Sequence, residues 1–239
     1  MNSPGQAAML SSSLPAPREV REFYPHDLLW VRDWHGLHAS APLPAWAGAE
    51  WMARAPVVVR REQVEGMALI PVGLRGRARS ERMAAYLESG AVLRRLSPET
   101  LARQAAWRLP GLECLPAAIA LECIAPLLDA SGLCWGPTGS MGFALASGLP
   151  ALREQSDLDI LVRCDAPFTQ GQAQMLAEML DGHGCRIDMQ IDTGHGGFAF
   201  TEWTRSHGRV LLKTGLGPFL TGDPWNRTGW LNTMGREAA

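Results

Sequence analysis

The pattern of hydrophobic and polar positions changes near residue 109 of the chain. Before that point, short apolar runs at 57–59 and 67–72 are joined by a turn around residues 65–66, which is typical of strands. After it, apolar stretches with helical spacing alternate with strand-like runs. The pattern predicts a mixed α/β protein, with a smaller N-terminal α+β domain over residues 21–109 and a second domain over residues 110–239.

Two helices are predicted in the first domain. The basic stretch 73–82 is expected to lead into a helix that runs through Met83 and Leu87. A second helix is expected to begin at Ser97 and Pro98 and to end near Trp107, because serine is a good N-cap and proline fits the first helical position.

The second domain is predicted to alternate helices and strands. Its expected elements are a helix over 115–128, a strand over 133–135, a helix from 139–140 to a stop at Gly148, a strand over 157–162, a helix capped by Thr169 and a strand over 186–192. The strand–helix–strand run over 157–192 predicts a crossover unit in a mixed sheet.

Composition excludes several classes of protein. The chain has 239 residues, of which 46% are hydrophobic and 19% charged, and its net charge of −2 gives no electrostatic argument for nucleic acid. No apolar run approaches the ~18 residues that span a membrane. Residues 1–20 are rich in Pro, Ser and Ala and lack the pattern of a signal peptide, so we expect a flexible tail. Five scattered cysteines without metal-ligand spacing predict buried, reduced thiols in a cytoplasmic protein.

Acidic residues in the strand at 157–162 need an explanation, because carboxylates are depleted from strands. Asp157 and Asp159 are two positions apart and therefore project to the same side, while Leu158 and Ile160 face the core. Two carboxylates so close repel each other unless a cation lies between them. Asp188, on the strand at 186–192, adds a third carboxylate. We predict that these three residues are metal ligands and catalytic residues, with Mg²⁺ (or Mn²⁺) as the ion.

A Gly-Ser pair upstream of these carboxylates fits the same chemistry. Gly139 allows close approach of the backbone, and Ser140 at a helix start offers a hydroxyl to phosphate oxygens. An Asp-x-Asp pair alone is more often a strand start or a solvated turn. Gly-Ser, Asp-x-Asp and a later aspartate in that order favour phosphoryl transfer.

That order resembles the nucleotidyltransferase superfamily that includes DNA polymerase β. The family pattern is Gly-Ser or Gly-Gly, a spacer, two carboxylates that flank an apolar residue, and a third carboxylate. The resemblance implies a polymerase-β-like nucleotidyltransferase fold for the second domain. Sixteen residues separate Ser140 from Asp157, whereas the usual spacer has about ten. The extra length lies in the segment 148–153, which reads as a loop insertion.

Further segments of the sequence narrow the resemblance to one family. "GPTGSMGFALASGLPALREQSDLDILVR", "CRIDMQIDTGHGGFAFTEW", "VLLKT", "HDLLWV" and "IPVGLRG" together resemble the malonate decarboxylase phosphoribosyl-dephospho-CoA transferases. The resemblance implies transfer of the 2′-(5″-phosphoribosyl)-3′-dephospho-CoA group to a serine of the apo acyl carrier subunit of malonate decarboxylase. It also implies triphosphoribosyl-dephospho-CoA as the donor and release of pyrophosphate.

Two other functions stay open at this point. One is a different nucleotidyltransferase, which adenylylates a small molecule or a protein, and a test with ATP in place of the donor would separate it. The other is a non-catalytic module that docks the carrier subunit. Three converging carboxylates argue against that module, which has no use for them.

Basic residues are the remaining candidates for substrate binding. Arg75, Arg77 and Arg79 could bind donor phosphates or belong to a solvated charge run, and Arg75 is favoured because a Gly-flanked turn would fix it. Lys213 could neutralise the leaving pyrophosphate or point outward from an edge strand.

For three further residues a structural role is an alternative to a functional one. His195 is interpreted as an exposed loop histidine, although an acid role or a donor contact is open. Asp192 shares a face with Asp188 and could be a spare ligand, but it is expected to be solvated at the strand end. Trp203 is expected to pack in the core. Because all three predicted ligands follow residue 130, the first domain is expected to recognise substrate.

Overall fold

The structure is a computed structural model that describes residues 23–64, 68–108, 111–206 and 209–226. The predicted tail at 1–20 and the turn around 65–66 lie outside these residues. Two six-stranded sheets account for the described strands, and helices cover them. The predicted mixed α/β class is confirmed.

The first sheet is entirely antiparallel, with the strand order β2-β5-β4-β3-β1-β6. Its strands are β1 (Leu28–Val31), β2 (Leu37–His38), β3 (Val57–Val59), β4 (Leu69–Arg75), β5 (Arg82–Glu88) and β6 (Val92–Leu96). One short helix, α1 (Ala49–Met52), lies between β2 and β3 in the chain. Leu29, Val72 and Leu87 are fully buried in the core of this sheet.

The helix predicted through Met83 and Leu87 is wrong, because this segment is strand β5. Met, Ala, Leu and Glu favour helices in isolation. Here the segment pairs residue by residue with β4, from Arg82 opposite Arg75 to Glu88 opposite Leu69. This non-local pairing buries Ala85 and Leu87 on one face and overrides the local preference.

The second sheet has the strand order β12-β11-β10-β9-β8-β7. Its strands are β7 (Cys134–Pro137), β8 (Leu158–Arg163), β9 (Ile187–Asp192), β10 (Gly196–Ala199), β11 (Val210–Thr214) and β12 (Gly217–Thr221). Strands β8 and β9 are parallel, and the other neighbours are antiparallel. The chain connects β8 to β9 through a helix, which confirms the predicted crossover.

Five helices accompany the second sheet. They are α2 (Pro98–Gln104), α3 (Pro116–Ala130), α4 (Gly139–Ser147), α5 (Gln170–Met179) and α6 (Phe200–Arg205). The predicted caps are confirmed: Ser97 Oγ accepts from the Thr100 N–H, Thr169 forms a capping box with Gln172, and Gly148 ends α4 with a φ of +66°.

Helix α2 ends three residues before the predicted Trp107, and a 3-10 turn follows it. It packs on β7 so closely that a Cβ on Gly136 would lie 2.0 Å from the Pro98 carbonyl oxygen. The last strand of the first sheet ends at Leu96. Helix α2 therefore associates with the second sheet, although the sequence pattern put the division of the chain at residue 109.

The two sheets meet through a small apolar contact. Trp51 in α1 and Ala55, which follows that helix, pack with Phe143 in α4 and with Leu149, which follows α4. All four side chains are buried. This contact places the β4–β5 hairpin beside the start of α4, and the space between the sheets forms a cavity.

The cysteines correct one prediction. Cys114, Cys123 and Cys134 are exposed, and Cys164 and Cys185 are half-buried, so none of the five is a core residue. Within the described ranges, the structure has no helix with the length and apolar character that crossing a membrane requires.

Candidate active site

A cavity of about 1160 Å³ lies between the two sheets. Its lining includes all seven residues that the sequence predicts to be catalytic, metal-binding or phosphate-binding. They are Arg75, Gly139, Ser140, Asp157, Asp159, Asp188 and Lys213. The fold thus brings together residues that are up to 138 positions apart in the chain.

The parallel pairing of β8 and β9 places the acidic residues side by side. Asp159 is directly opposite Asp188, and their neighbours Leu158 and Ile187 form the adjacent pair. Leu158 is fully buried and Asp159 is half-buried, as the predicted alternation requires. Asp157 precedes β8 and is also half-buried.

The three carboxylates act on one another electrostatically. Burial is the largest cause that raises the pKa of Asp159, and the charges of Asp188 and Asp157 raise it further. Arg75 and Arg82 oppose this rise. A positive charge among the three carboxylates would relieve the repulsion.

The donor chemistry of this group fits a hard divalent cation, because all three side chains offer carboxylate oxygens. Across the described residues, no arginine or lysine forms an ion pair with Asp157 or Asp159, whereas Arg186 Nη2 lies 2.7 Å from Asp188 Oδ1. In that same part of the chain, no group of three or more Asp, Glu, His or Cys side chains is placed so that it could hold a metal ion as it stands. Metal binding would therefore require these side chains to rearrange, and at Asp188 the ion would compete with Arg186.

The start of α4 lies against the acidic residues. Gly139 has a φ of +57°, and a Cβ on it would lie 1.8 Å from Asp159 Oδ2. Only glycine satisfies both the backbone angle and the close approach. The Thr138 N–H donates to the Asp159 carbonyl at 2.8 Å, which fixes the start of α4 to β8.

Arg75 reaches this point from the first sheet. Its Nη2 donates to Ser140 Oγ at 2.8 Å, and its guanidinium lies 5.1 Å from the centroid of the Phe143 ring. The Trp51 indole N–H donates to the Arg75 carbonyl at 2.7 Å. Arg75 is thus held at the Gly-Ser pair by contacts to both sheets.

Lys213 lies on β11, which is flanked by β10 and β12. The reading of Lys213 as a residue of an edge strand is therefore wrong. Its side chain is exposed, whereas its neighbours Leu212 and Thr214 are buried. In the described residues Lys213 has no ion-pair partner, so its charge is available to a substrate in the cavity.

His26 also lines the cavity, and sequence reasoning missed it. It has a φ of +75°, which is uncommon outside glycine. Burial, and then the charge of Arg61, lower the pKa of His26 to about 4, so the ring is neutral near pH 7. The unusual backbone angle, which only the structure shows, is the feature that singles it out.

Asp192 is buried and paired, so its expected exposure to solvent is wrong. Arg163 Nη1 lies 2.7 Å from Asp192 Oδ2, and Arg61 Nη2 lies 3.2 Å from the same oxygen. Burial acts to raise the pKa of Asp192, but Arg61, the Gly194 N–H and Arg163 together outweigh it and lower the pKa. Asp192 is a structural ion-pair residue and does not line the cavity.

Arg163 extends this network to the first sheet. Its Nε lies 2.6 Å from Glu99 Oε1, and its Nη2 donates to the Pro25 carbonyl at 3.2 Å. The segment that carries His26 is thereby attached to the second sheet.

Two smaller predictions are confirmed. His195 is exposed and lies outside the cavity lining. Trp203 packs against the core with Phe168, Phe198 and Phe200, at ring-centroid distances of 5.9–6.3 Å.

The cavity combines carboxylates with arginines, and this composition is typical of sites that bind phosphorylated substrates. Comparison with known families agrees with that class. The profile of the phosphoribosyl-dephospho-CoA transferase MdcG C-terminal domain matches residues 91–224, and that of the MdcG N-terminal domain matches residues 24–98. The chain belongs to the MdcG family of phosphoribosyl-dephospho-CoA transferases.

Individual relatives agree over most of the chain. A phosphoribosyl-dephospho-CoA transferase of Pseudomonas putida strain W619 is 43% identical over 202 residues, which cover 84% of this chain and 95% of the relative. The corresponding protein of Azotobacter vinelandii strain DJ is 42% identical over 205 residues, which cover 84% and 93%. That of Pseudomonas syringae pathovar tomato is 43% identical over 202 residues, with the same coverage. No solved structure matches the chain.

Proposed function

We propose that this protein transfers the 2′-(5″-phosphoribosyl)-3′-dephospho-CoA group from its triphosphate precursor to a serine of the apo acyl carrier subunit of malonate decarboxylase. Membership of the transferase family supports the transferred group. The observation that carries the chemistry is the single cavity lined by Asp157, Asp159, Asp188 and the Gly139–Ser140 pair. A polymerase-β-like nucleotidyltransferase fold of the second domain is part of the proposal.

In the proposed reaction, the serine hydroxyl oxygen forms a bond to the α-phosphorus of the donor. The bond between the α-phosphorus and the bridging oxygen to the β-phosphorus breaks, and pyrophosphate leaves with that oxygen. The serine hydroxyl proton passes to solvent water. The products are a phosphodiester on the carrier and free pyrophosphate.

Asp157, Asp159 and Asp188 would hold Mg²⁺ or Mn²⁺. When bound, such an ion neutralises charge on the phosphate oxygens and orients the attacking and leaving groups. Burial and the charges of Asp188 and Asp157 raise the pKa of Asp159, and this supports the assignment because a bound cation would relieve that repulsion. Arg186 is the residue that would release Asp188 when the ion binds.

The protein's own groups position the donor. Gly139 lets the backbone approach the phosphates, and Ser140 offers its hydroxyl to a phosphate oxygen. Arg75, fixed by Trp51 and Phe143, presents its guanidinium at that hydroxyl. Lys213, which lines the same cavity, would neutralise charge on the leaving pyrophosphate.

The test is the intact mass of the apo carrier subunit after incubation with this protein, triphosphoribosyl-dephospho-CoA and Mg²⁺. We expect a gain equal to the phosphoribosyl-dephospho-CoA group. Asp159→Asn is the matched negative control, because it keeps the size of the side chain and removes its charge.

Two outcomes contradict the proposal. One is an unchanged carrier mass with an enzyme preparation that is folded by circular dichroism. The other is a labelled adenylyl product with ATP in place of the donor, together with no modification of the carrier by the triphosphoribosyl donor. The second outcome would identify a different nucleotidyltransferase.

A further inference from the structure

The end of the β4–β5 hairpin concentrates positive charge in the cavity. Arg75 and Arg82 are direct cross-strand partners at this end, and Arg79 lies in the turn that joins the two strands. Arg153 adds a fourth guanidinium from the second domain. All four residues line the cavity between the sheets.

These guanidiniums are close enough to act on one another. After burial, Arg82 is the main cause that lowers the pKa of Arg75, and Arg153 and Arg79 lower it further. Asp159 is the carboxylate that opposes them. Over the described ranges, none of the four arginines forms an ion pair with a carboxylate of the chain. The cluster therefore carries an excess of positive charge.

Aromatic and backbone contacts fix the hairpin end in place. The Arg77 guanidinium lies 4.7 Å from the centroid of the Trp51 ring, and Arg153 Nη2 donates to the Arg77 carbonyl at 3.2 Å. Glu81, the nearest acid in sequence, accepts from the Ala78 N–H at 2.8 Å and so closes the turn. A solvated charge run would need neither the aromatic contact nor the bond from the second domain.

Arg153 explains the long spacer between Ser140 and Asp157. It lies at the end of the extra segment 148–153, where Leu149 and Leu152 are buried and Arg153 is exposed. The buried leucines anchor the segment against the protein, and its one arginine reaches the backbone of the hairpin. The inserted residues thereby add one guanidinium to those that the hairpin contributes to the cavity lining at this end.

We propose that Arg79, Arg82 and Arg153, together with Arg75, form a subsite for the β- and γ-phosphates of the donor, so that the protein selects triphosphates over monophosphates. The inference rests on the proposed function and deepens it. Guanidinium groups bind phosphate oxygens through paired hydrogen bonds, and four of them are sufficient to neutralise the negative charge of the β- and γ-phosphates. The cluster lies beside Ser140, where the donor's phosphates would begin.

The subsite is tested by equilibrium binding of inorganic tripolyphosphate, pyrophosphate and phosphate to the full chain by calorimetry, in buffer with a chelator. We expect affinity to fall in that order. Arg82→Gln and Arg153→Gln should each raise the dissociation constant for tripolyphosphate by about fivefold or more, because a charge-assisted hydrogen bond is lost at a partly exposed site. Arg94→Gln is the control, because Arg94, on β6, lies over the Trp30 ring and outside the cavity lining.

Several results would overturn the subsite. Unchanged tripolyphosphate binding in Arg82→Gln and Arg153→Gln would contradict the subsite. Equal weakening by Arg94→Gln would also contradict it, because it would show that only the overall electrostatic field of the protein attracts the anion. In transfer assays, a raised KM for the carrier with an unchanged KM for the donor would assign the arginines to protein docking. Failure of the proposed function can be distinguished from failure of the subsite. In that case the carrier would stay unmodified, but tripolyphosphate binding would still depend on Arg82 and Arg153.

Discussion

Arg75 of the first sheet donates a hydrogen bond of 2.8 Å to Ser140 Oγ at the start of α4, a helix that accompanies the second sheet. This contact joins the domain that was expected to recognise substrate to the Gly-Ser pair that was expected to contact phosphate. It also makes the two residues interdependent, because the hydroxyl is positioned by the guanidinium. Their contributions to donor binding should therefore not be additive.

We predict that Ser140→Ala lowers kcat/KM by an amount equivalent to about 1.5–3 kcal/mol, the worth of a hydrogen bond to a charged group. Arg75→Ala should raise the KM for the donor and leave that for the carrier unchanged. The double variant should lose less than the sum of the two single losses. Steady-state kinetics of the unmodified protein, the two single variants and the double variant completes the double-mutant cycle. Additive losses would show that the two residues act separately, and a raised carrier KM would place Arg75 in the protein interface.

Asp159→Asn should reduce transfer by about 100-fold or more, because changes to the outer partners of metal ligands alone cause about 10–100-fold losses. The fold should be retained, since the change removes a charge that burial and two neighbouring carboxylates disfavour. Single-turnover transfer and thermal unfolding measure the two effects. Asp181→Asn, at an exposed position, is the control. Near-full activity of Asp159→Asn would end the metal-site assignment.

Chelation with EDTA should abolish transfer, and added Mg²⁺ or Mn²⁺ should restore it. A second readout is direct: Mn²⁺ should bind the chain in electron paramagnetic resonance titrations, and Asp188→Asn should weaken that binding. Arg186→Gln should leave Mn²⁺ affinity unchanged or strengthen it, because the 2.7 Å pair with Asp188 no longer competes. Activity that persists without divalent ions would contradict the proposal.

Arg163→Met should lower the free energy of unfolding by about 3–5 kcal/mol, because it leaves the largely buried Glu99 carboxylate without its ion-pair partner and removes the shorter of the two arginine contacts of Asp192. Asp192 and Glu99 both lose an ion pair, and the segment with Pro25 loses a hydrogen bond. Arg108→Met is the matched control, because it removes an ion pair to Glu122 that water screens. Urea unfolding measures both variants. Equal effects of the two changes would mean that burial of the Arg163 network adds no stability.

His26 should make stability depend on pH below neutrality. Its pKa is about 4 in the folded chain against an ordinary value of 6.5, so the unfolded chain binds the proton first as pH falls. The free energy of unfolding should therefore decline from pH 6.5 towards 4, with His26 accounting for up to about 3 kcal/mol. His26→Asn, which tolerates the positive φ, should flatten that decline. Urea unfolding across this range tests it, and identical slopes in both proteins would refute the assignment.

The sequence by itself determined the parts of the protein that depend on short-range order. Alternation in the strand at 157–162 predicted that Asp159 faces away from the core, and the buried Leu158 and Ile160 confirm the pattern. Ser97, Thr169 and Gly148 specified helix ends through bonds that span only a few residues. These features follow from local geometry, which the order of residues encodes directly.

Only the tertiary structure decided which distant residues meet. Strand β5 forms because β4 supplies its hydrogen-bond partners, although its own residues favour a helix. Asp192 is paired because Arg61 and Arg163 reach it from elsewhere in the chain, and burial then makes those pairs necessary. His26 and Arg153 line the cavity because the tertiary structure brings their segments together there. Their sequence neighbours carry no sign of it, because packing between two sheets is a long-range property of the fold.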